Sequence, residues 1–560
     1  MKGIVALCGL LAYGTALAGP SEVTFSKPAM RWLWGGFGFH DSEATMLKIM
    51  SDEFRDERVY KTFREISPTY ARVFAGFADW PREMMDSFAD FYDATFRRAG
   101  TTLYLVPGRF PYVDADFDAR AYFEKVAANL AYLVRERKLT KLRYYAIANE
   151  LSAGNAYAWF SRTNKLDLYA TYCDEAYRAF RRHGLDIGLQ TTDTSGVAAG
   201  LRDITWAVQN IDEVTDTYCW HTYVNGLKPG EPGLYDAVYT NALALVRIVG
   251  KKEKRLSLGE FGFQGRSTVE CRGPGSGVMR DDGNYAYRHP EEEGAAAISQ
   301  VEMALGAFNA GAVSAVKWTL FDYPDPFLRE DGDTPAEKDR YGVARFSGHG
   351  LQMRYNKCGC IRWNDEERDY SARAELYTLG LFAKLFRKGG RQLPWSSADR
   401  DLVAGGITNP DGSASFAVIN WGAAKEVRVT SAHPLAKPLR VYLIDSAKPP
   451  INAFNDLPPA SGTVVAKDGV FTVAMPAKSL VYLTTDYVDR VPSAVEDVEA
   501  DDGRLTWDAC GDPAHVYYRV YRNGRQIRST VATSCAIDDE DADYAVRSVD
   551  RWGNVGGRAR

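Results

Sequence analysis

Two glutamates stand where packing alone does not explain a carboxylate. Glu150 ends the run Tyr144-Tyr145-Ala146-Ile147-Ala148-Asn149-Glu150, and Glu260 ends Leu256-Ser257-Leu258-Gly259-Glu260. Both runs read as apolar β-strands, and an ionised side chain closing such a strand costs free energy unless a partner or ligand uses it. Two carboxylates facing one cleft are what cleavage of a glycosidic bond needs. One protonates the leaving oxygen, and the other attacks the anomeric carbon or activates a water. Taken singly, each glutamate reads equally well as a helix-entry or ion-paired residue; their joint placement is the informative feature.

A second set of residues occupies similar strand ends. Arg72 lies in Ala71-Arg72-Val73-Phe74, His221 and Tyr223 follow Cys219-Trp220, and Trp318 closes a later apolar run. Arg72 would keep a nearby carboxylate ionised, a role that a plain buried ion pair would also fill. Trp318 offers a flat face for a sugar, with core packing as the competing reading. For His221 a structural histidine competes with a ligand contact. In Trp34-Gly35-Gly36-Phe37-Gly38-Phe39-His40 the glycines would let backbone approach a sugar or simply make a tight turn, and Trp34 is a candidate substrate contact. Other chemistries lack their signatures. The sequence has no Walker loop, no His-Glu-x-x-His and no Gly-x-Ser-x-Gly elbow, Gly275-Ser276-Gly277 having the wrong spacing. Paired Cys-x-x-Cys zinc ligands are also missing, so no metal and no organic cofactor is expected.

The elements that would position these residues alternate. Strand-like runs are expected at Arg31 to Phe39, Tyr70 to Phe77, Thr102 to Val106, Leu142 to Ala148, Ile187 to Thr191, Thr217 to Tyr223, Arg255 to Glu260 and Val313 to Leu320. Helical stretches fall near Glu43 to Ile66, Arg82 to Ala99, Ala119 to Arg137, Leu166 to His183, Leu201 to Asn210, Leu234 to Val249, Glu292 to Ala310 and Arg373 to Arg387. Eight strand–helix units are the count for an α/β fold of the (β/α)8 TIM-barrel type, whose active site lies at the C-terminal ends of the strands. The longest insertions, Phe263 to Glu291 and Phe321 to Ala372, emerge on that face and are expected to wall a cleft.

After Leu393-Pro394 short β-rich runs imply a β-sandwich over 393–488. From about Val491-Pro492 a small all-β module over 489–560 resembles a fibronectin type III domain, through Trp507, Tyr518-Arg519-Val520-Tyr521 and the Asn523-Gly524 hairpin signal. No candidate catalytic residue lies beyond Trp318, so the chemistry is expected to survive deletion of this module. Asp538-Asp539-Glu540-Asp541 reads as a solvated turn, lacking the spacing of a calcium loop.

On these residues the chain resembles the clan A retaining glycoside hydrolases, which include families 5, 30 and 39. The clan's acid/base is the Glu of an Asn-Glu pair ending strand four, matched by Asn149-Glu150. Its nucleophile ends strand seven, matched by Glu260. The resemblance implies that Asn149 meets the sugar 2-hydroxyl, Arg72 holds the nucleophile ionised, His221 and Tyr223 orient the central subsite, and Trp318 carries the sugar. It covers roughly residues 30 to 390, and a barrel followed by a sandwich is the arrangement of families 30 and 39. Asn149-Glu150 is followed by Leu151 rather than the Pro common in family 5, while Gly259-Glu260-Phe261-Gly262 looks more like family 5 than family 39, leaving the family open. The implied activity is retaining hydrolysis of a β-glycosidic or α-L-arabinofuranosidic bond in a polysaccharide or oligosaccharide. The rival reading is a non-catalytic glycan-binding or adhesion protein on a glycosidase-like barrel.

Composition is compatible with this and excludes other classes. Of the 560 residues, 46% are hydrophobic and 25% charged, ordinary globular values. With 68 Lys+Arg against 73 Asp+Glu, the net charge of -5 offers no basic field for nucleic acid. Residues 1–18 read as a signal peptide: Lys2, an apolar run from Ile4 to Leu17, and the small-x-small Ala16-Leu17-Ala18. A barrel domain over 19–392 is therefore expected in an exported protein, secreted or periplasmic, with no membrane span. Removal of Cys8 with that peptide leaves seven of eight cysteines, an odd number. Cys173 and Cys219 are expected as buried thiols, Cys510 and Cys535 as a disulfide stapling the small module, with one further pair drawn from Cys271, Cys358 and Cys360.

Overall fold

The computed structural model describes residues 21–557 except 30, 42–54, 76–77, 79, 108–116, 152–159, 161–164, 224–232, 263–289 and most of 322–368. The expected leader, most of the two long insertions, Cys271 and Cys358 lie outside these residues.

Eight parallel strands close a barrel: β1 (Gly36–Asp41), β2 (Tyr70–Phe74), β3 (Thr102–Val106), β4 (Leu142–Tyr145), β5 (Gly188–Ser195), β6 (Thr215–Tyr223), β7 (Arg255–Gly262) and β8 (Ser314–Lys317). Closure is made by β8 against β1, with Gly36 opposite Ser314 and Phe39 opposite Lys317. Strands such as β3 and β8 are buried on both faces, which is why they read as continuous apolar runs. Among the described residues the α-helices are α1 (Lys61–Ile66), which continues a π-helical turn over Arg55–Tyr60, α2 (Arg82–Ala94), α3 (Ala119–Arg135), α4 (Leu166–Arg182), α5 (Val197–Asn210), α6 (Leu234–Gly250), α7 (Pro290–Ala310) and α8 (Ala374–Leu385). In α3 the Asp118 carboxylate caps the Ala121 N–H at 2.9 Å, and Phe123, Val126, Ala127, Leu130 and Leu133 form the buried stripe. Helix α8 is buried nearly all round because it lies between two layers. Phe382 meets Phe37 of the barrel at 4.9 Å, and the Thr378 carbonyl accepts from Tyr482 of the sandwich at 2.8 Å.

Several strand boundaries correct the sequence reading: the second, fourth and eighth strands end at Phe74, Tyr145 and Lys317, short of the expected Phe77, Ala148 and Leu320, and two further differences bear on the site. The first strand begins at Gly36, not Arg31, and runs to Asp41. Trp34 therefore precedes β1 and sits at the N-terminal end of the barrel, opposite the end where β1 delivers His40. Its indole is fully buried, donates to the Phe386 carbonyl at 3.1 Å and meets Phe308 edge-on at 5.0 Å. The fifth strand continues past Thr191 to Ser195. Its polar second half, Thr191-Thr192-Asp193-Thr194, hides a strand because those side chains are satisfied inside the barrel rather than by apolar packing.

The sandwich also begins earlier than expected. Ser21–Phe25 is not part of the barrel; it pairs in parallel with Lys425–Ser431 and antiparallel with Trp395–Ser396. Its period-two pattern, with Val23 and Phe25 buried among Phe416, Val427, Val429 and Phe471, is that of a strand with one face in a core. A six-stranded sheet running Arg391–Leu393, Leu402–Thr408, Ala414–Asn420, Ser479–Thr484, Leu439–Asp445, Gly462–Val464 forms the opposing layer.

The C-terminal module consists of two three-stranded sheets. Asn523 and Gly524 both have positive φ, 51° and 76°, and join His515–Arg522 to Arg525–Thr530 as the hairpin signal implies. The expected bond between Cys510 and Cys535 is not formed; Cys535 packs into the small core with Trp507, Tyr518 and Val546. Asp538 pairs with Arg522 and Asp539 caps the Asp541 N–H, the contacts of a turn.

The module is not a loose appendage. Lys61 of α1 is fully buried, with Nζ 2.7 Å from both Glu65 and Asp456 and 2.8 Å from the Asn455 carbonyl. The C-terminal module closes this junction: Tyr517 donates to Glu65 at 3.2 Å, and Arg519, Gln526 and Ser529 all donate to Asp456. Truncation would strip partners from buried charges on the barrel side, which argues against expecting the barrel to be indifferent to deletion. Removing one member of a buried ion pair strands the other. Lys61→Met is therefore expected to destabilise the protein by about 3–5 kcal/mol, read by chemical denaturation.

Candidate functional site

All eight barrel strands converge on one polar cluster at their C-terminal ends, where the surrounding sheet is otherwise apolar. Its centre is Arg72 from β2, a fully buried guanidinium. Nη1 donates to Glu260 Oε1 at 2.6 Å and to His40 Nδ1 at 3.0 Å; Nη2 donates to Asn149 Oδ1 at 2.5 Å and Asp193 Oδ2 at 2.7 Å. Accepting from Arg72 leaves His40 Nδ1 without a proton, consistent with burial and then Arg72 holding this imidazole well below its usual value.

Glu260 comes from β7. Its Oε2 accepts from the Tyr223 hydroxyl at 2.5 Å, so Arg72 and Tyr223 clamp one oxygen each. Burial pushes this carboxyl up; His221 and Arg72 pull against that, but the net direction, with Glu150 nearby, is upward. Glu150 follows β4 in a left-handed conformation, φ 52°, and its Oε1 lies 3.1 Å from His221 Nδ1. Its side chain is 19% exposed against 5% for Glu260, so one carboxylate faces the opening and the other is held within. A carboxylate oxygen of each and a His221 nitrogen lie within 4.8 Å of one another.

Asn149, Arg72, His221 and Tyr223 are thus brought together with both glutamates. Trp318 follows β8 and reaches the rim, where its ring meets His40 at 4.3 Å and Phe74 at 5.5 Å and is 8% exposed. Trp34 is not brought to the cluster.

Two partners escaped the sequence reading. Asp193 sits on the extended half of β5, where a bulge places an extra residue opposite β6 and puts Thr192 at φ 77° and Asp193 at φ 38°. Positive φ at a β-branched residue is a rare, strained conformation, held here by Thr192 bonding to the Cys219 carbonyl and the Tyr169 hydroxyl. Tyr104 of β3 donates to Asp193 Oδ1 at 2.5 Å. The only hint in sequence is Asp193 within a run of three threonines. Gly259 is a quieter requirement: a Cβ there would strike Cys219 Sγ and lie 3.0 Å from His221 Nε2.

Asp193, Cys219 and His221, or Glu150, His221 and Glu260, offer ligand atoms close enough to share a cation. The positive charge at this spot is already supplied, since Arg72 contacts both Asp193 and Glu260. The donor set is that of a guanidinium-centred network rather than of a metal cage.

The bacterial orthologue of human α-L-iduronidase superposes on 96% of this chain and 98% of its own, with a TM-score of 0.58 at 14% identity. The glycoside hydrolase family 30 subfamily 8 xylanase from Clostridium acetobutylicum superposes on 83% of this chain and 99% of its own, with a TM-score of 0.52 at 13% identity. The fold is that of these glycoside hydrolases. A conserved exported protein from Bacteroides fragilis is similar over 83% of this chain and all of its own, with a TM-score of 0.56 at 12% identity. No protein-family model and no curated protein sequence matches the chain. The closed parallel barrel with its sandwich is thus the architecture that the resemblance in the sequence implies. No helix among the described residues is long and apolar enough to cross a membrane.

Proposed function

We propose that the protein is a retaining glycoside hydrolase that cleaves a β-glycosidic or α-L-arabinofuranosidic bond through a glycosyl-enzyme. The observation that carries this reading is the pair of carboxylates: oxygens of Glu150 and Glu260 approach within 4.8 Å. Retaining enzymes hold their carboxyl groups about 5–5.5 Å apart, whereas inverting ones leave about 6.5–9.5 Å for a water. The two environments divide the roles. Glu260, clamped by Arg72 and Tyr223, is the nucleophile, because a fixed carboxylate can attack without rearrangement. Glu150, more exposed and bonded among the described residues to His221, is placed to give its proton to the leaving oxygen and later to take one from water.

In the first step a Glu260 oxygen bonds to the anomeric carbon, the bond to the leaving oxygen breaks, and that oxygen takes the Glu150 proton. In the second, water attacks the same carbon, Glu150 takes its proton, and Glu260 leaves as the carboxylate. Asn149 gives its amide oxygen to Arg72, which turns its N–H groups to the substrate side as donors for the sugar 2-hydroxyl. Trp318 at the rim is the sugar platform. The substrate is a carbohydrate, and export follows from the leader read in the sequence.

The test is a panel of polysaccharides, oligosaccharides and aryl glycosides that includes xylan and uronides, with proton NMR of the first anomer released. Turnover with retained configuration is the expected result. Inverted product would mean a single displacement. Binding without turnover would favour a glycan-binding protein on a glycosidase-like barrel.

A further inference from the structure

Behind the two proposed catalytic carboxylates lies a third that never reaches the substrate side. Asp193 is fully buried, accepts from Arg72 and Tyr104, and places Oδ1 3.4 Å from His221 Nε2. The other ring nitrogen, Nδ1, faces Glu150 Oε1 at 3.1 Å and Glu260 Oε2 at 3.5 Å. We propose that Asp193 is a positioning residue that acts through His221, fixing an imidazolium whose Nδ1–H serves whichever of Glu150 and Glu260 carries the negative charge at each stage of the reaction. The proposal rests on the reading of those two residues as acid/base and nucleophile.

The charges support it. His221 is faced by Asp193 from β5, Glu150 from the segment after β4, Glu260 from β7, Cys219 from its own strand and His40 from β1, and Arg72 from β2 pairs with the same Asp193 and Glu260. With His221 protonated, Arg72 and His221 balance Asp193 and Glu260, and the cluster is neutral when Glu150 holds its proton. A neutral imidazole would leave an uncompensated negative charge in a nearly dry site, which is costly. Burial works against the imidazolium, but Glu260 and Asp193 outweigh it and hold His221 well above its usual range. Asp193 itself is held well below the carboxylate range, burial being overcome by Arg72 and His221.

The reaction moves one negative charge between two places. Glu260 carries it in the free enzyme and gives it up on bonding to the sugar; Glu150 acquires it on losing its proton. A single N–H within 3.1 and 3.5 Å of the two carboxylates meets both states without moving far. The strained bulge at Thr192 and Asp193 is then the structural cost of bringing a carboxylate to the back of this ring.

The sign of the pH effect follows. A histidine raised in the folded state keeps its ion-pair stabilisation below its unfolded value and loses it as pH rises through the raised one. The first experiment is a histidine-detected nitrogen NMR titration of the wild-type protein, with the His221 signal assigned by its loss in His221→Gln. His221 is expected to remain an imidazolium through neutral pH; titration at or below about 6.5 would overturn the proposal. The readout does not depend on turnover, so an inactive protein with a charged His221 would sink the glycosidase reading alone. In Asp193→Asn the alkaline limb of kcat/KM should move down by at least about one pH unit with KM little changed, since one unit is the order of a single lost charge partner. Tyr104→Phe keeps the carboxylate and should leave that limb in place. An unmoved limb in a folded Asp193→Asn, or an equal shift in Tyr104→Phe, would reduce Asp193 to packing and overturn the proposal. Should Asp193→Asn fail to fold, the wild-type titration decides.

Discussion

Glu260→Ala is expected to lower kcat/KM on every glycoside, by on the order of 10⁵-fold, because no glycosyl-enzyme can form without the attacking carboxylate. The loss should not depend on the leaving group, since assistance to departure is useless without a nucleophile. The substitution also leaves Arg72 Nη1 and the Tyr223 hydroxyl, which sit 2.6 and 2.5 Å from the two Glu260 oxygens, aimed at an empty volume beside His221. A cationic, donor-rich vacancy invites a small anion. Azide should bind there and attack the anomeric carbon from the nucleophile's side, giving the glycosyl azide of inverted configuration. The measurement is the anomeric configuration of the azide product by proton NMR. Unchanged activity on a natural substrate would place the nucleophile elsewhere.

Glu150→Ala is expected to separate substrates by leaving group. A natural glycoside departs as a poor leaving group that needs a proton, so its kcat/KM should fall by about 10²–10⁴-fold, the usual worth of general acid catalysis. An aryl glycoside with an acidic phenol needs little such help, and its first step should be nearly spared. Turnover then stalls at the glycosyl-enzyme for want of a base. Azide, needing no deprotonation, should accelerate it and give the azide of retained configuration. The structural consequences of the two substitutions also differ. Glu150 is partly exposed, and its described partner His221 keeps Asp193 and Glu260, so its loss should change stability by less than about 1 kcal/mol. Glu260 holds Arg72 and Tyr223 together, and its removal unbalances a buried guanidinium. Burst kinetics with a dinitrophenyl glycoside would check the stalled intermediate. Equal losses on natural and activated substrates would remove Glu150 from the acid role.

The opposite azide stereochemistries distinguish the two roles even if both variants are slow. They also separate the glycosidase reading from the Asp193 proposal, because neither outcome depends on the charge of His221.

What the sequence determined by itself is the part of the protein governed by local pattern. Apolar runs buried on both faces and helices with one apolar stripe announce themselves within about a dozen residues, because burial of a repeating face is a local property. The barrel and α3 and α4 almost to the residue follow from that, as does the placing of Glu150 and Glu260 toward the C-terminal side of β4 and β7, although β4 stops at Tyr145 and β7 runs on past Glu260 to Gly262. Even α8, with no stripe, was legible as a helical stretch near Arg373 to Arg387, though only its position between barrel and sandwich explains why nearly every side is covered.

Tertiary structure decided wherever a residue's surroundings come from distant chain. Asp193 looks like part of a polar loop until Arg72, Tyr104 and His221, contributed by β2, β3 and β6, satisfy it inside the barrel. Trp34 looked like a rim aromatic because strand one was read five residues early, and only the pairing of Gly36 with Ser314 sets its register. Ser21–Phe25 finds its partners some 400 residues away in the sandwich, and Lys61 is tolerable without water only because Asp456 and the C-terminal module close over it. The reason is the same in each case. Burying a polar group or choosing a register depends on partners that no local window contains, whereas burying an apolar face depends only on the face.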